Sequence, residues 1–94
     1  MSETKFKLKV LKYLKANYPN MWIYKSADKF TAGIPDLIIC RPPDGKLCAI
    51  ELKFGKNKAT KLQEYVLENI RRVGGNAGVA YTIEEVVNII DKDK

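Results

Sequence analysis

GIPDLIICRPPDGKLCAIELK, residues 33–53, is the stretch whose reading decides the fold. Asp36-Leu37-Ile38-Ile39-Cys40 is apolar on both faces after its first residue, which predicts a strand in the interior of a sheet. Pro42-Pro43-Asp44-Gly45 then turns the chain, because proline fixes φ early in the turn and Gly45 supplies a permissive site late. The chain returns through Leu47-Cys48-Ala49-Ile50-Glu51-Leu52-Lys53, so the two segments read as an antiparallel hairpin. Along the returning strand, side chains at i and i+2 share a face about 7 Å apart. Ile50 and Leu52 therefore face the core, while Glu51 and Lys53 project together from the other side.

Working outward, Phe6, Val10, Leu11, Tyr13 and Leu14 fall at helical spacing between Thr4 and Asn17, and Pro19 ends that helix. Met21-Trp22-Ile23-Tyr24 reads as a short strand; Trp22, Tyr24 and Phe30 are candidates for stacking on bases, while the alternating positions of Trp22 and Tyr24 favour packing. Thr60-Lys61-Leu62-Gln63 matches a capping box and opens a helix through Val73, which Gly74-Gly75 stops. Ala77-Gly78-Val79-Ala80-Tyr81 is a fourth strand, and Thr82-Ile83-Glu84-Glu85 repeats the capping pattern for a closing helix to Ile90. The order is αβββαβα. A β-α-β passage from the third to the fourth strand makes that last pair parallel, so the expected architecture is α/β, a mixed four-stranded sheet flanked by helices.

The 94 residues predict one domain over 1–94, with binding and chemistry sharing one surface. A chain of this size buries limited apolar area, so dimerisation is a natural source of added stability. Lys+Arg 17 against Asp+Glu 11 gives +6, which points to a polyanionic partner, nucleic acid first. There is no histidine. Serine or cysteine nucleophiles paired with histidine, and histidine-containing zinc sites, are excluded. Cys40 and Cys48 have no CxxC spacing. No apolar run approaches the roughly 20 residues of a membrane span and no signal-peptide pattern opens the chain, so a reducing cytoplasmic setting is expected, that of a host cell if the protein is viral.

The chemistry concentrates on Asp36 and Glu51. Adjacent strands lie about 4.8 Å apart, so the hairpin can bring these two carboxylates together at one end of the sheet. Like charges at that distance repel unless a divalent cation lies between them. Oxygen ligands select Mg²⁺ or Mn²⁺, completed by water and a substrate phosphate. Lys53 is then placed to orient or deprotonate the attacking water, or to steady charge on a phosphate. The bland alternative is a surface ion pair between Glu51 and Lys53 on an amphipathic strand. Lys56, Lys58 and Lys61 lead into a helix N-terminus and are candidate phosphate contacts, as are Lys25 and Lys29 ahead of Gly33.

Gly33-Ile34-Pro35-Asp36, then Glu51-Leu52-Lys53, then Gln63 early in the next helix resemble the PD-(D/E)xK nuclease superfamily, most closely its VRR-NUC (virus-type replication-repair nuclease) branch in stand-alone form. The resemblance runs from Ser2-Glu3 to Thr82-Ile83-Glu84-Glu85-Val86 and implies a restriction-endonuclease-like fold. It implies that Asp36 and Glu51 are metal ligands with the Leu52 backbone carbonyl, that Lys53 is the catalytic lysine, and that Gln63 shapes the site. Glu3 matches an acidic residue of the first helix, either a further ligand through water or a stabiliser of that helix N-terminus. For Gln63 the capping box is an equally good account. The implied activity is metal-dependent hydrolysis of DNA phosphodiesters by a homodimer acting on branched DNA such as four-way (Holliday) junctions. The rival is a non-catalytic nucleic-acid-binding module that retains the nuclease fold.

Overall fold

A computed structural model describes residues 2–26 and 32–94 of the chain. Helix α1 (Glu3–Asn17) starts at Ser2, whose hydroxyl accepts the Lys5 backbone N–H at 3.2 Å. Strands β1 (Trp22–Lys25), β2 (Leu37–Arg41) and β3 (Lys46–Leu52) follow, then α2 (Lys61–Arg72), β4 (Asn76–Ala80) and α3 (Ile83–Asp91). Every element lies within one residue of its sequence-based bounds, because most ends lie beside a cap, a proline or a glycine.

The sheet order is β1-β2-β3-β4, antiparallel except for the parallel β3–β4 pair. This is the mixed α/β arrangement expected from the αβββαβα order, in the restriction-endonuclease-like form that the resemblance implies. At the hairpin, Gly45 takes φ +71° and its N–H donates to the Arg41 carbonyl at 2.7 Å. That closes the turn and fixes the register Leu37↔Ile50 through Arg41↔Lys46.

Strand alternation assigns the two faces. Leu37, Ile39, Cys48, Ile50 and Leu52 turn to one side, where they form a single core with Phe6, Val10 and Leu14 of α1 and Val86 and Ile90 of α3. Helix α2 lies on the other side, over β3 and β4. Its Leu67 is fully buried outside that core. It also covers Ala49, which the register pairs with Ala77. Two close approaches locate its ends. A Cβ on Gly33 would lie 2.9 Å from Leu62 Cγ, and one on Gly75 would lie 3.4 Å from the Leu47 carbonyl oxygen.

Two expectations need correction. Trp22 and Tyr24 are not packing residues; they stack on each other with centroids 6.1 Å apart and stand exposed, because among the described residues no helix covers β1 on their side. At α3, the Thr82 hydroxyl accepts the Glu85 N–H as foreseen, but the Glu85 carboxylate reaches one residue further back, to the Tyr81 N–H at 2.6 Å. Arg41 had no assigned role. It is buried, and its guanidinium donates to the carbonyls of Ile90 at 2.8 Å and Lys92 at 3.0 Å and pairs with Asp44 and Asp93. It therefore ties the C-terminal segment to the hairpin. Among the described residues no helix is long and apolar enough to cross a membrane.

Candidate active site

Asp36 sits immediately ahead of β2, and the register carried one step beyond Leu37↔Ile50 sets it opposite Glu51. Its aim is fixed from both sides. The Leu52 backbone N–H donates to Asp36 Oδ2 at 2.8 Å, and Lys7 Nζ of α1 donates to Asp36 Oδ1 at 3.1 Å. The backbone there is drawn in by Ser26, whose N–H donates to the Asp36 carbonyl at 2.9 Å. Gly33 turns the chain ahead of Asp36 at φ +84°, a region that disfavours residues with a Cβ. Pro35 is fully buried beside it.

Glu51 lies in the middle of the sheet and is only 3% exposed, which excludes a solvated surface ion pair. Its Oε2 is 3.3 Å from Lys53 Nζ, and its Oε1 is buried with no hydrogen-bond partner among the described residues. Burial pushes the Glu51 carboxyl up to about 7, the neighbouring Asp36 charge adds to the rise, and Lys53 offsets part of it. Lys53 follows β3 directly. Its N–H donates to the Ala80 carbonyl at 3.0 Å, continuing the parallel ladder and holding the lysine on the Glu51 side.

The structure thus brings Asp36, Glu51, the Leu52 backbone and Lys53 together. Lys25 also joins them, lining a small cleft with Lys7, Ser26 and Asp36 whose apolar wall is Leu11, Leu37 and Leu52. Among the described residues, Glu3 reaches the cluster through Lys7, 3.8 Å from its carboxylate. Among the described residues no third acidic side chain groups with Asp36 and Glu51. The Gln63 side-chain oxygen accepts the Thr60 N–H at 2.8 Å, completing the capping box. Lys56 and Lys58 are exposed on the loop into α2, and Lys61 is exposed at its first residue. Lys29 and Phe30 lie outside the described residues.

Lys7 was missed by sequence reasoning. Its signal was present as an i,i+4 partner of Glu3 beside Phe6 and Val10, but a lysine-rich helix offers several such positions and only the fold selects one.

The paired carboxylates suit a hard divalent cation. A buried acid oxygen with no donor and a raised pKa beside a second carboxylate is a charge arrangement that a cation relieves. The unpartnered Glu51 Oε1 and the Asp36 carboxylate beside it are side-chain oxygens of the kind that hold such a cation.

Comparison with known proteins agrees with this geometry. A family model described as the VRR-NUC domain matches residues 3–83, from the first residue of α1 to the first of α3, and so includes Asp36, Glu51 and Lys53. A solved structure described as a VRR_NUC domain is similar to the chain with TM-score 0.70 and 25% identity, covering 92% of this chain and 95% of that one. A search of curated proteins found no match. The hairpin that carries an aspartate and a Glu-x-Lys to one sheet end, and the family model that spans it, make this chain a member of the VRR-NUC family of nuclease domains.

Proposed function

We propose that the protein is a divalent-metal-dependent DNA endonuclease, selective for branched substrates such as four-way junctions and acting as a homodimer. The observation that carries the catalytic reading is Glu51, a buried carboxylate with one unpartnered oxygen, set beside Asp36 and 3.3 Å from Lys53. A fold that served only to bind would gain nothing from this costly arrangement.

Asp36, Glu51 and the Leu52 carbonyl would hold the cation. When bound, Mg²⁺ or Mn²⁺ supplies Lewis-acid polarisation of the phosphoryl group and of the attacking water. The chain's own residues do the rest. The Leu52 N–H and Lys7 hold the Asp36 carboxylate in a fixed orientation. Lys53 Nζ, anchored on Glu51, orients or deprotonates the attacking water and steadies charge on the phosphate. Lys25 extends the positive cleft, and Lys56, Lys58 and Lys61 contact backbone phosphates on either side of the scissile bond. Gln63 holds the start of α2 in place, and Glu3 acts on the site through Lys7. Two copies present two active sites to a roughly symmetric junction, one for each strand.

One observation favours the rival, non-catalytic module. Lys7 and Lys53 already balance Asp36 and Glu51, so the cluster is close to neutral without a metal. Cleavage assays on labelled four-way junction, flap, single-stranded and linear duplex DNA, with Mg²⁺, Mn²⁺ or EDTA, separate the two. Metal-dependent cleavage that is strongest on the junction and abolished by Glu51→Ala or Lys53→Ala is the expected result. No cleavage, with salt-sensitive DNA binding that ignores metal and survives Asp36→Ala, would establish the module instead.

A further inference from the structure

Helix α2 covers only the β3–β4 half of its side of the sheet, and the other half is apolar. On that bare half the register aligns Trp22 with Cys40 and Leu47, and Tyr24 with Ile38 and Ala49. The adjoining flank of α2 adds Leu62, Tyr65 and Val73, and contact of Leu62 and Val66 with the Gly33 position turns this flank toward β2. Trp22 is 58% exposed, Tyr24 50%, Tyr65 62% and Val73 85%.

Two features identify the occupant. On this face of β1 and β2 no strand position carries a charge, Lys25 and Arg41 turning to the opposite face, although the chain as a whole is at +6 with 30% charged residues. DNA would require cations there, whereas the buried centre of a protein interface is depleted of charge and enriched in Tyr and Trp. Glu68 and Arg72, one turn and two turns along α2 from Tyr65, supply a charged rim of both signs. The second feature is area. With aromatic side chains of roughly 150–250 Å² each, the patch exposes on the order of 500 Å² of apolar surface, in the upper part of the range of about 300–600 Å² for the largest patch on a monomer, where such patches often mark an interaction site. Two such patches together bury about 1,000 Å², the threshold for a specific interface.

We infer that the bare β1–β2 face and the adjoining flank of α2 form the surface on which a second copy of this chain docks, through a twofold contact centred on Trp22 and Tyr65. The inference rests on the homodimer in the proposed function and names its surface. The cleft lined by Lys7, Lys25 and Asp36 includes Leu11, Leu37 and Leu52 from the α1 side of the sheet, and Glu51 lies on the α2 side two positions along β3 from Ala49, away from the Trp22 end of the patch, so a contact centred at that end leaves the cleft open.

Sedimentation velocity on the full chain across the micromolar range, combined with thiol alkylation, tests it. Cys40 is exposed on this face and Cys48 is buried, so the reactive thiol reports on whether the face is covered. The wild type is expected to sediment as a dimer and its Cys40 to alkylate more slowly as protein concentration rises. Trp22→Glu and, independently, Tyr65→Glu should raise the dimer dissociation constant at least tenfold and restore fast alkylation. Leu8→Glu, an equally exposed apolar position on α1, should do neither. Matching circular dichroism spectra establish that the variants fold, and Tyr65→Glu, on an exposed helix position, keeps the test intact if Trp22→Glu does not fold. A wild-type dimer indifferent to the Trp22 and Tyr65 variants, with Cys40 reactive throughout, would overturn the surface and leave the homodimer standing. A monomer at every concentration, free and with junction DNA, would overturn both. Protection of Cys40 by single-stranded DNA in a monomeric protein would reassign the face to nucleic acid.

Discussion

Glu51→Gln should make the metal-free protein more stable while removing its response to metal. The ionised Glu51 carboxylate sits in the sheet with one oxygen unpartnered and Asp36 alongside. Its pKa rises from 4.5 to about 7 on folding, which corresponds to about 3 kcal/mol against the charged form at pH 8. Water entering the cleft and relaxation of Lys53 reduce this, so a gain of about 1–3 kcal/mol is expected for a neutral isostere. In a domain of this size that raises the melting temperature by about 4–8 °C per kcal/mol. The sign follows from linkage. The stability that comes from a neutral Glu51 is fully present below pH 4.5 and is lost as pH rises through about 7. The wild type in EDTA should therefore melt higher at pH 5 than at pH 8, relative to Glu51→Gln at the same two values. Mn²⁺ should raise the wild-type melting temperature at pH 8 and leave the variant unmoved. Differential scanning calorimetry of both proteins in EDTA and in Mn²⁺ measures all three effects. If Glu51→Gln melts below wild type at pH 8 in EDTA, or if the difference between the two proteins does not change with pH, the account of Glu51 as a strained carboxylate awaiting a cation is wrong.

Three further substitutions test the surroundings. Lys7→Met removes the cation that holds Asp36 Oδ1, so the metal-free fold should lose about 1–2 kcal/mol while Mn²⁺ binds several-fold more tightly by titration calorimetry; unchanged affinity would show that Lys7 does not compete for the site. Arg41→Met leaves the buried Ile90 carbonyl without its donor and frees the C-terminal segment, with an expected loss of about 2–4 kcal/mol in urea denaturation. Gly33→Ala places a Cβ at positive φ and 2.9 Å from Leu62 Cγ, which should cost about 2 kcal/mol and lower cleavage by misdirecting Asp36. A Gly33→Ala protein with wild-type stability and activity would show that this turn is not what aims the aspartate.

The sequence by itself determined the order of the elements, their ends and the meeting of Asp36 with Glu51 and Lys53. Those features depend on short-range physics: Thr60 and Gln63 cap α2 from three residues apart, Gly45 closes a four-residue turn, and the period of two separates Glu51 and Lys53 from Ile50 and Leu52. Asp36 and Glu51 were legible as partners because a hairpin of fixed register converts sequence spacing into strand adjacency. Only the tertiary structure decided how deeply each group is buried. Alternation puts Glu51 on the α2 side, but its burial depends on which half of the sheet α2 covers, and no local pattern states that. The same choice left Trp22 and Tyr24 bare where alternation alone suggested packing. Lys7 and Arg41 were hidden for a related reason. Lys7 meets Asp36 across 29 positions and Arg41 meets the Ile90 carbonyl across 49, and pairings at that distance follow from how helices lie on the sheet. Propensity and periodicity act over a few residues, whereas burial and charge pairing belong to the assembled fold.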